Sequence, residues 1–170
     1  MLPACLDIGA DIDRREEWDE LRARHLHPPD ARPVSSARGV HHLALLSSDV
    51  DATIRFYQGI LEFPLTELFE NRDYQGSTHF FFDIGHGNLL AFFDFPGLDL
   101  GEYAEVLGGL HHVAISVSPE RWEHLRAKLA DAGIETMELS GASLYFRGPD
   151  GERLELIKDQ LGEMYGTTVA

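Results

Sequence analysis

A chain of 170 residues can bury one good-sized core, or two small repeats that share one. Its formal net charge of −15 works against nucleic acid and anionic membrane surfaces as partners, and no apolar run approaches the ~18 residues that span a bilayer. One cysteine, Cys5, rules out an intrachain disulfide, and the acidic start Met1–Asp13 does not read as a signal peptide, so a cytoplasmic location is expected.

In chain order, residues 1–37 form an extension. Trp18, Leu21 and Leu26 lie at helical spacing among charges over Arg14–His25, and Pro28, Pro29 and Pro33 end that helix. It reads as a surface brace or an oligomer contact. Residues 38–96 follow as a first module. His41–Leu46 alternates like a strand, and Asp49 is placed to cap a helix carrying Ile54, Phe56 and Tyr57. Phe63–Glu70, Ser77–Asp83 and Leu89–Phe95 then read as strands. Residues 97–108 are a connector whose acids, with those from Asp94 on, suit a solvated linker or a lid. The second module, 109–160, opens with a strand at His111–Val117. Pro119 starts a helix with Trp122, Leu125, Leu129 and Ala132 on one stripe, and Gly133 ends it. Ile134–Leu139, Ala142–Phe146 and Arg153–Lys158 are its other strands, and 161–170 is a tail.

The modules are copies of one plan. Gly39-Val40-His41-His42-Leu43-Ala44-Leu45 recurs as Gly109-Leu110-His111-His112-Val113-Ala114-Ile115, 70 residues on. At the other end Phe82, Gly87, Leu90 and Phe92 match Phe146, Gly151, Leu154 and Leu156 at an offset of 64. One unit is too small to stand alone, so two βαβββ repeats should share a core or pair across a dimer. The fold class is α+β, a curved mixed sheet around a cavity.

Strand alternation sorts the side chains. If Leu154 and Leu156 face the helices, Glu155 faces away from them. The same argument places His42, His112, Tyr145, His79, Phe81 and Ala91 on the Glu155 side. Two imidazoles and one carboxylate form a facial set for a divalent ion with open positions, and a buried Glu155 would be costly without a cation. His41 and His111 fall at the rim or toward the helices.

These residues resemble the vicinal oxygen chelate superfamily, which includes glyoxalase I, fosfomycin-resistance enzymes, methylmalonyl-CoA epimerase, bleomycin-resistance proteins and type I extradiol dioxygenases. The resembling phrases are His41-His42-Leu43-Ala44-Leu45 with Asp49 and Phe56-Tyr57, then His111-His112-Val113-Ala114-Ile115, and then Leu144 through Leu156. The resemblance covers about residues 38–160 and implies metal ligands at His42, His112 and Glu155. The fourth ligand of glyoxalase I and the epimerases falls on Ala91, which cannot ligate. Tyr145 falls where the dioxygenases carry an active-site Tyr. Their acid–base His falls on Asn88, or is replaced by His86. The cation loop and basic phosphonate contacts of the fosfomycin enzymes have no clear counterpart.

The resemblance favours a dioxygenase-type enzyme with Fe2+, acting on a small oxygen-bearing molecule such as a catechol-like ring. Tyr145 would hydrogen-bond the substrate, His79 would shuttle a proton, and Phe81, Phe93, Leu46 and Asn88 would line its site. A glyoxalase-type lyase, isomerase or transferase with Zn2+, Ni2+ or Mn2+ as Lewis acid is the first alternative. A module that sequesters a small ligand is the second. The three ligands could meet within one chain or across a swapped homodimer, and the dimer is the expected form.

Overall fold

The computed structural model describes residues 13–170, so Cys5 and the acidic start up to residue 12 lie outside the described residues. Residues 13–39 belong to one compact unit and residues 40–170 to another. In the first, α1 (Arg15–His25) buries none of its residues, and Trp18, Leu21 and Leu26 are exposed. Among the described residues, no helix is long and apolar enough to cross a membrane.

The second unit is built twice on one plan. The first half runs β1 (His42–Leu46), α2 (Val50–Ile54), β2 (Leu65–Glu70), β3 (Thr78–Asp83) and β4 (Leu89–Phe93). The second runs β5 (Val113–Ser116), α3 (Pro119–Asp131), β6 (Thr136–Leu139), β7 (Ser143–Arg147) and β8 (Arg153–Ile157). Each half makes a four-stranded sheet, β1-β4-β3-β2 and β5-β8-β7-β6, with the first strand of each at an edge. β1–β4 and β5–β8 are parallel pairs and the remaining pairs are antiparallel.

Local signals explain the elements. The Asp49 side chain accepts from the Ala52 amide at the start of α2, and Ser118 does the same from Arg121 ahead of Pro119 in α3. Gly133, at φ 72, turns the chain out of α3. Beyond Ile54 the helix widens into a π-helical segment, Arg55–Ile60, which sends Phe56 and Tyr57 inward together. The strands are shorter at their ends than the sequence pattern predicts. Residues 161–170, expected to be a plain tail, carry a small hairpin of β9 (Glu163–Met164) and β10 (Thr167–Thr168).

The core is shared between the halves, as the size of one repeat demands. Phe80, Phe82, Leu90 and Phe92 join Leu144, Phe146, Leu154 and Leu156 in one cluster with Trp122, Leu125 and Leu129 of α3. Phe56 meets Phe146 across the join, ring centroids 6.3 Å apart. Glu62, just past the first helix, receives Lys128 at 2.9 Å, His124 at 3.0 Å and Arg121 from α3.

One polar link runs through the apolar seam. Tyr57, fully buried, donates its hydroxyl to Glu152 Oε1 at 2.6 Å, and Glu152 Oε2 accepts from the Asp150 amide at 3.0 Å. Gly148 makes room, because a Cβ there would lie 1.9 Å from that carboxylate. Burial pushes the Glu152 carboxyl above its ordinary value of 4.5 despite the opposing Tyr57 hydrogen bond. Tyr57→Phe should therefore destabilise the protein by about 1–3 kcal/mol in urea unfolding, since it strands a buried acceptor. A carboxyl with a raised folded-state pKa stabilises below its unfolded value, and that contribution disappears as pH rises through the folded value. Measured against Glu152→Gln, the parent should lose stability from about pH 4.5 upward; a flat difference curve would contradict this.

Candidate metal centre

Register places the second-half candidates side by side. Ala114 pairs with Glu155 across β5–β8, and Tyr145 pairs with Glu155 across β7–β8. Leu154 and Leu156 are buried in the core, so Glu155 projects from the other face, as alternation requires. His112 Nε2 lies 3.1 Å from Glu155 Oε2, and Glu155 is only 4% exposed. The Tyr145 ring meets His112 edge-on at 5.6 Å.

The neighbouring histidine steers the ring. His111 Nδ1 and His112 Nδ1 are 2.6 Å apart, so one must donate and the other accept. If His112 Nε2 carries the proton, it donates to Glu155 and Nδ1 accepts from His111. If Nε2 offers its lone pair to an ion, Nδ1 donates to His111 instead. Arg153 Nη1, 3.2 Å from His111 Nε2, can only donate, so His111 carries its proton on Nδ1 and the first arrangement is the one this network satisfies. Burial pushes the His112 imidazole below its ordinary 6.5, outweighing the upward pull of the Glu155 charge, and this favours the neutral ring that ligation needs.

The first half repeats the arrangement with one substitution. His41 Nδ1 and His42 Nδ1 are 2.8 Å apart. Ala44 pairs with Ala91, and Phe81 pairs with Ala91, the same registers that hold Glu155 in the second half. Ala91 stands where the carboxylate would be, so this half offers an imidazole and no acid. His42 faces Phe81 at 6.4 Å. His79 stacks on Phe93 at 3.8 Å, its Nε2 is buried without a hydrogen-bond partner, and burial holds it below its ordinary value. Phe69, Tyr74, His79, Phe93 and Phe95 line a recess of about 590 Å³.

Two other candidates lie apart from these groups. Leu46, 48% exposed, lines a separate cavity of about 1030 Å³ formed with residues 94–104 and the Pro149-Asp150 turn. Asn88 closes the β3–β4 turn, donating from Nδ2 to the Gly85 carbonyl.

Two donors bound to one ion at about 2.0–2.2 Å sit about 3 Å from each other, and the His112–Glu155 pair has that spacing. The donor set therefore fits a divalent ion in part. Among the described residues of a single chain, no three His, Cys, Asp or Glu side chains converge, and His42 is not brought to the pair.

Sequence reasoning passed over Arg147 and Arg153. They pair across β7–β8 and share the parity of Tyr145 and Glu155, which was the signal available. Arg153 Nη2 binds Glu105 of the connector at 2.6 Å, and its Nη1 lies 3.2 Å from His111 Nε2.

Residues 39–156 match the family described as the Glyoxalase/Bleomycin resistance protein/Dioxygenase superfamily. Among curated proteins, the metallothiol transferase FosB of Shouchella clausii is 29% identical over 133 residues, 74% of this chain and 83% of that protein. A Bacillus subtilis protein named "Putative ring-cleaving dioxygenase MhqA" is 23% identical over 139 residues, 77% of this chain but 43% of its own length. Among solved structures, a glyoxylase/bleomycin resistance protein/dioxygenase domain from Frankia sp. EAN1pec superposes with a TM-score of 0.63 at 26% identity, over 74% of this chain and 100% of that one. FosX from Listeria monocytogenes, in a crystal structure with Mn(II), shares the fold at a TM-score of 0.55 and 21% identity, over 74% of this chain and 95% of that one.

The two partners of the buried pair should respond unequally to substitution in metal-stripped protein. His112→Ala leaves a buried carboxylate alone and should lose about 2–3 kcal/mol in urea unfolding, whereas Glu155→Gln leaves a neutral imidazole and should stay within about 1 kcal/mol. Equal losses would mean the carboxylate is a structural strut.

Proposed function

The chain belongs to the Glyoxalase/Bleomycin resistance protein/Dioxygenase superfamily, and from that premise we propose that it is a divalent-metal enzyme acting on a small oxygen-bearing molecule with a flat apolar body. The observation that carries this reading is the pair formed by buried Glu155 and partly exposed His112 at chelating distance. His42 is the third ligand, and a second copy of the chain supplies it. The open face of β1 supports this: it is an edge strand, and His42, Ala44 and Leu46 are all exposed.

Fe2+ is the metal we favour, with Mn2+, Zn2+ or Ni2+ as the redox-inert or Lewis-acid alternatives. A divalent ion at this site supplies Lewis acidity toward vicinal oxygens, and Fe2+ adds chemistry with O2. The chain's own groups do the rest. Phe81 and Phe93 offer flat surfaces to a ring, and His79 Nε2, having no partner, is free to accept a proton from the substrate. The Tyr145 hydroxyl orients a substrate oxygen beside His112. Leu46 and Asn88 contribute to the outer wall.

A second reading, thiol transfer, is supported by the similarity to FosB across 74% of the chain. Iron content after anaerobic purification, together with O2 uptake on catechols, separates the two. Iron with O2 uptake supports the dioxygenase reading; transfer of a thiol with Mn2+ and no O2 uptake supports the second.

Shared ligands make a sharp prediction. His42→Ala and Glu155→Gln should each be inactive as pure homodimers. Mixed and re-equilibrated, they should recover about a quarter of parental metal sites and activity, because half of the dimers are mixed and each carries one intact site. No recovery on mixing would place all three ligands in one chain.

A further inference from the structure

The arginines beside the metal pair lack a role in that reading. Arg153 stands two residues before Glu155 on the same face of β8, and Arg147 pairs with it on β7. Arg147 is fixed from behind: its Nη1 donates to the Gly151 carbonyl at 2.7 Å, and its guanidinium lies 5.2 Å from the Tyr103 ring centroid. Arg153 is free at its tip to meet the connector. There Glu105 Oε1 lies 2.6 Å from Arg153 Nη2 and 4.0 Å from Arg147 Nη2, so one carboxylate serves two guanidiniums. The network continues from Arg153 through His111 to His112 and Glu155.

Glu105 comes from an irregular segment, held nearby by the Tyr103 hydroxyl at the Leu110 and His111 carbonyls, 2.9 and 2.8 Å. Beyond it Val106 and Leu107 are exposed. A partly exposed ion pair changes an equilibrium by about fivefold at most, so a better-matched anion can replace this carboxylate.

We propose that Arg153, backed by Arg147, anchors an anionic oxo-group of the substrate, and that Glu105 fills this subsite until the anion displaces it. The inference rests on the reading that His112 and Glu155 hold the ion. It narrows the substrate class to molecules that carry a carboxylate, phosphate or phosphonate about 7 Å from the chelating oxygens, the span of two strand residues. Guanidinium forks suit such groups.

The test uses the full chain, stripped of metal and dialysed, at constant ionic strength. Inorganic phosphate and acetate are the two probes, and binding is followed by amide and arginine NMR shifts. Glu105→Gln should bind phosphate more than about twofold and up to about fivefold tighter than the parent, and Arg153→Gln at least about tenfold weaker. Tighter binding of phosphate than acetate assigns a phosphoryl group, and the reverse a carboxylate. Glu105→Gln within twofold of the parent, or no shifts in either protein at about 20 mM probe, overturns the proposal. Should Arg153→Gln not fold, Glu105→Gln decides alone, since it alters a connector residue. The measurement needs no ion, so its failure is distinct from a loss of the metal reading, which metal uptake by His112→Ala and Glu155→Gln reports.

Discussion

A carboxylate withdrawn from water must find compensating charge or protons, and Glu155 finds one imidazole. Burial keeps that imidazole toward its neutral form, so it can donate a hydrogen bond but offers little positive charge. The surroundings are arranged around this imbalance. The parallel β5–β8 pair sets His112 against Glu155, β7 brings up Tyr145, and His111 fixes the ring through its own Nδ1. A hydrophobic residue in place of Glu155 would pack the same sheet without penalty. Retaining the acid makes physical sense where a cation completes it.

The duplicated plan makes the asymmetry between halves informative. Both halves present a histidine pair in Nδ1 contact, and the strand registers coincide down to the alanine opposite each inward position. Only one half has the acid. The other has Ala91, paired with Phe81, whose ring meets Phe69 and His79, and His79 stacks on Phe93. Backbone symmetry therefore yields two unlike half-sites, one weighted to ligation and one to aromatic contact. Meanwhile the seam within a chain is closed on the helix side by Tyr57–Glu152, Phe56–Phe146 and the Glu62 cluster. The inner faces carry the candidate ligands and are the surfaces that the proposed dimer would join.

Period-two alternation made the fold and the inward residues legible. Leu154 and Leu156 gave the parity of Glu155, and the repeated His-His phrase gave the strand starts. What escaped depended on contacts between distant positions. Nothing local to Tyr57 indicates that its partner is Glu152, 95 residues away. Arg147 and Arg153 had the right parity, but their carboxylate sits in a connector with no period to read. Within residues 161–170, β9 and β10 pair with each other as two-residue strands too short to carry an alternating pattern. Which surface His42 faces cannot be read from pattern at all, since alternation fixes a side chain's face and not which chain that face meets.

Net charge adds a final constraint. A surface at −15 draws divalent cations toward the protein and opposes anions. At physiological salt that field fades over about 8 Å, so an anionic substrate would be held by contacts at the site itself. Arg153 answers to that need, being largely shielded from solvent and close to the ligating pair. With Glu105 seated on it, the guanidinium stays neutralised in the resting protein and does not oppose the arrival of a cation at Glu155. In the proposed exchange, an anion that took over from Glu105 would bring its charge to the same place. The two arginines would then face a net charge that changes little between the two states, and an ion held by the neighbouring pair would keep a steady electrostatic environment.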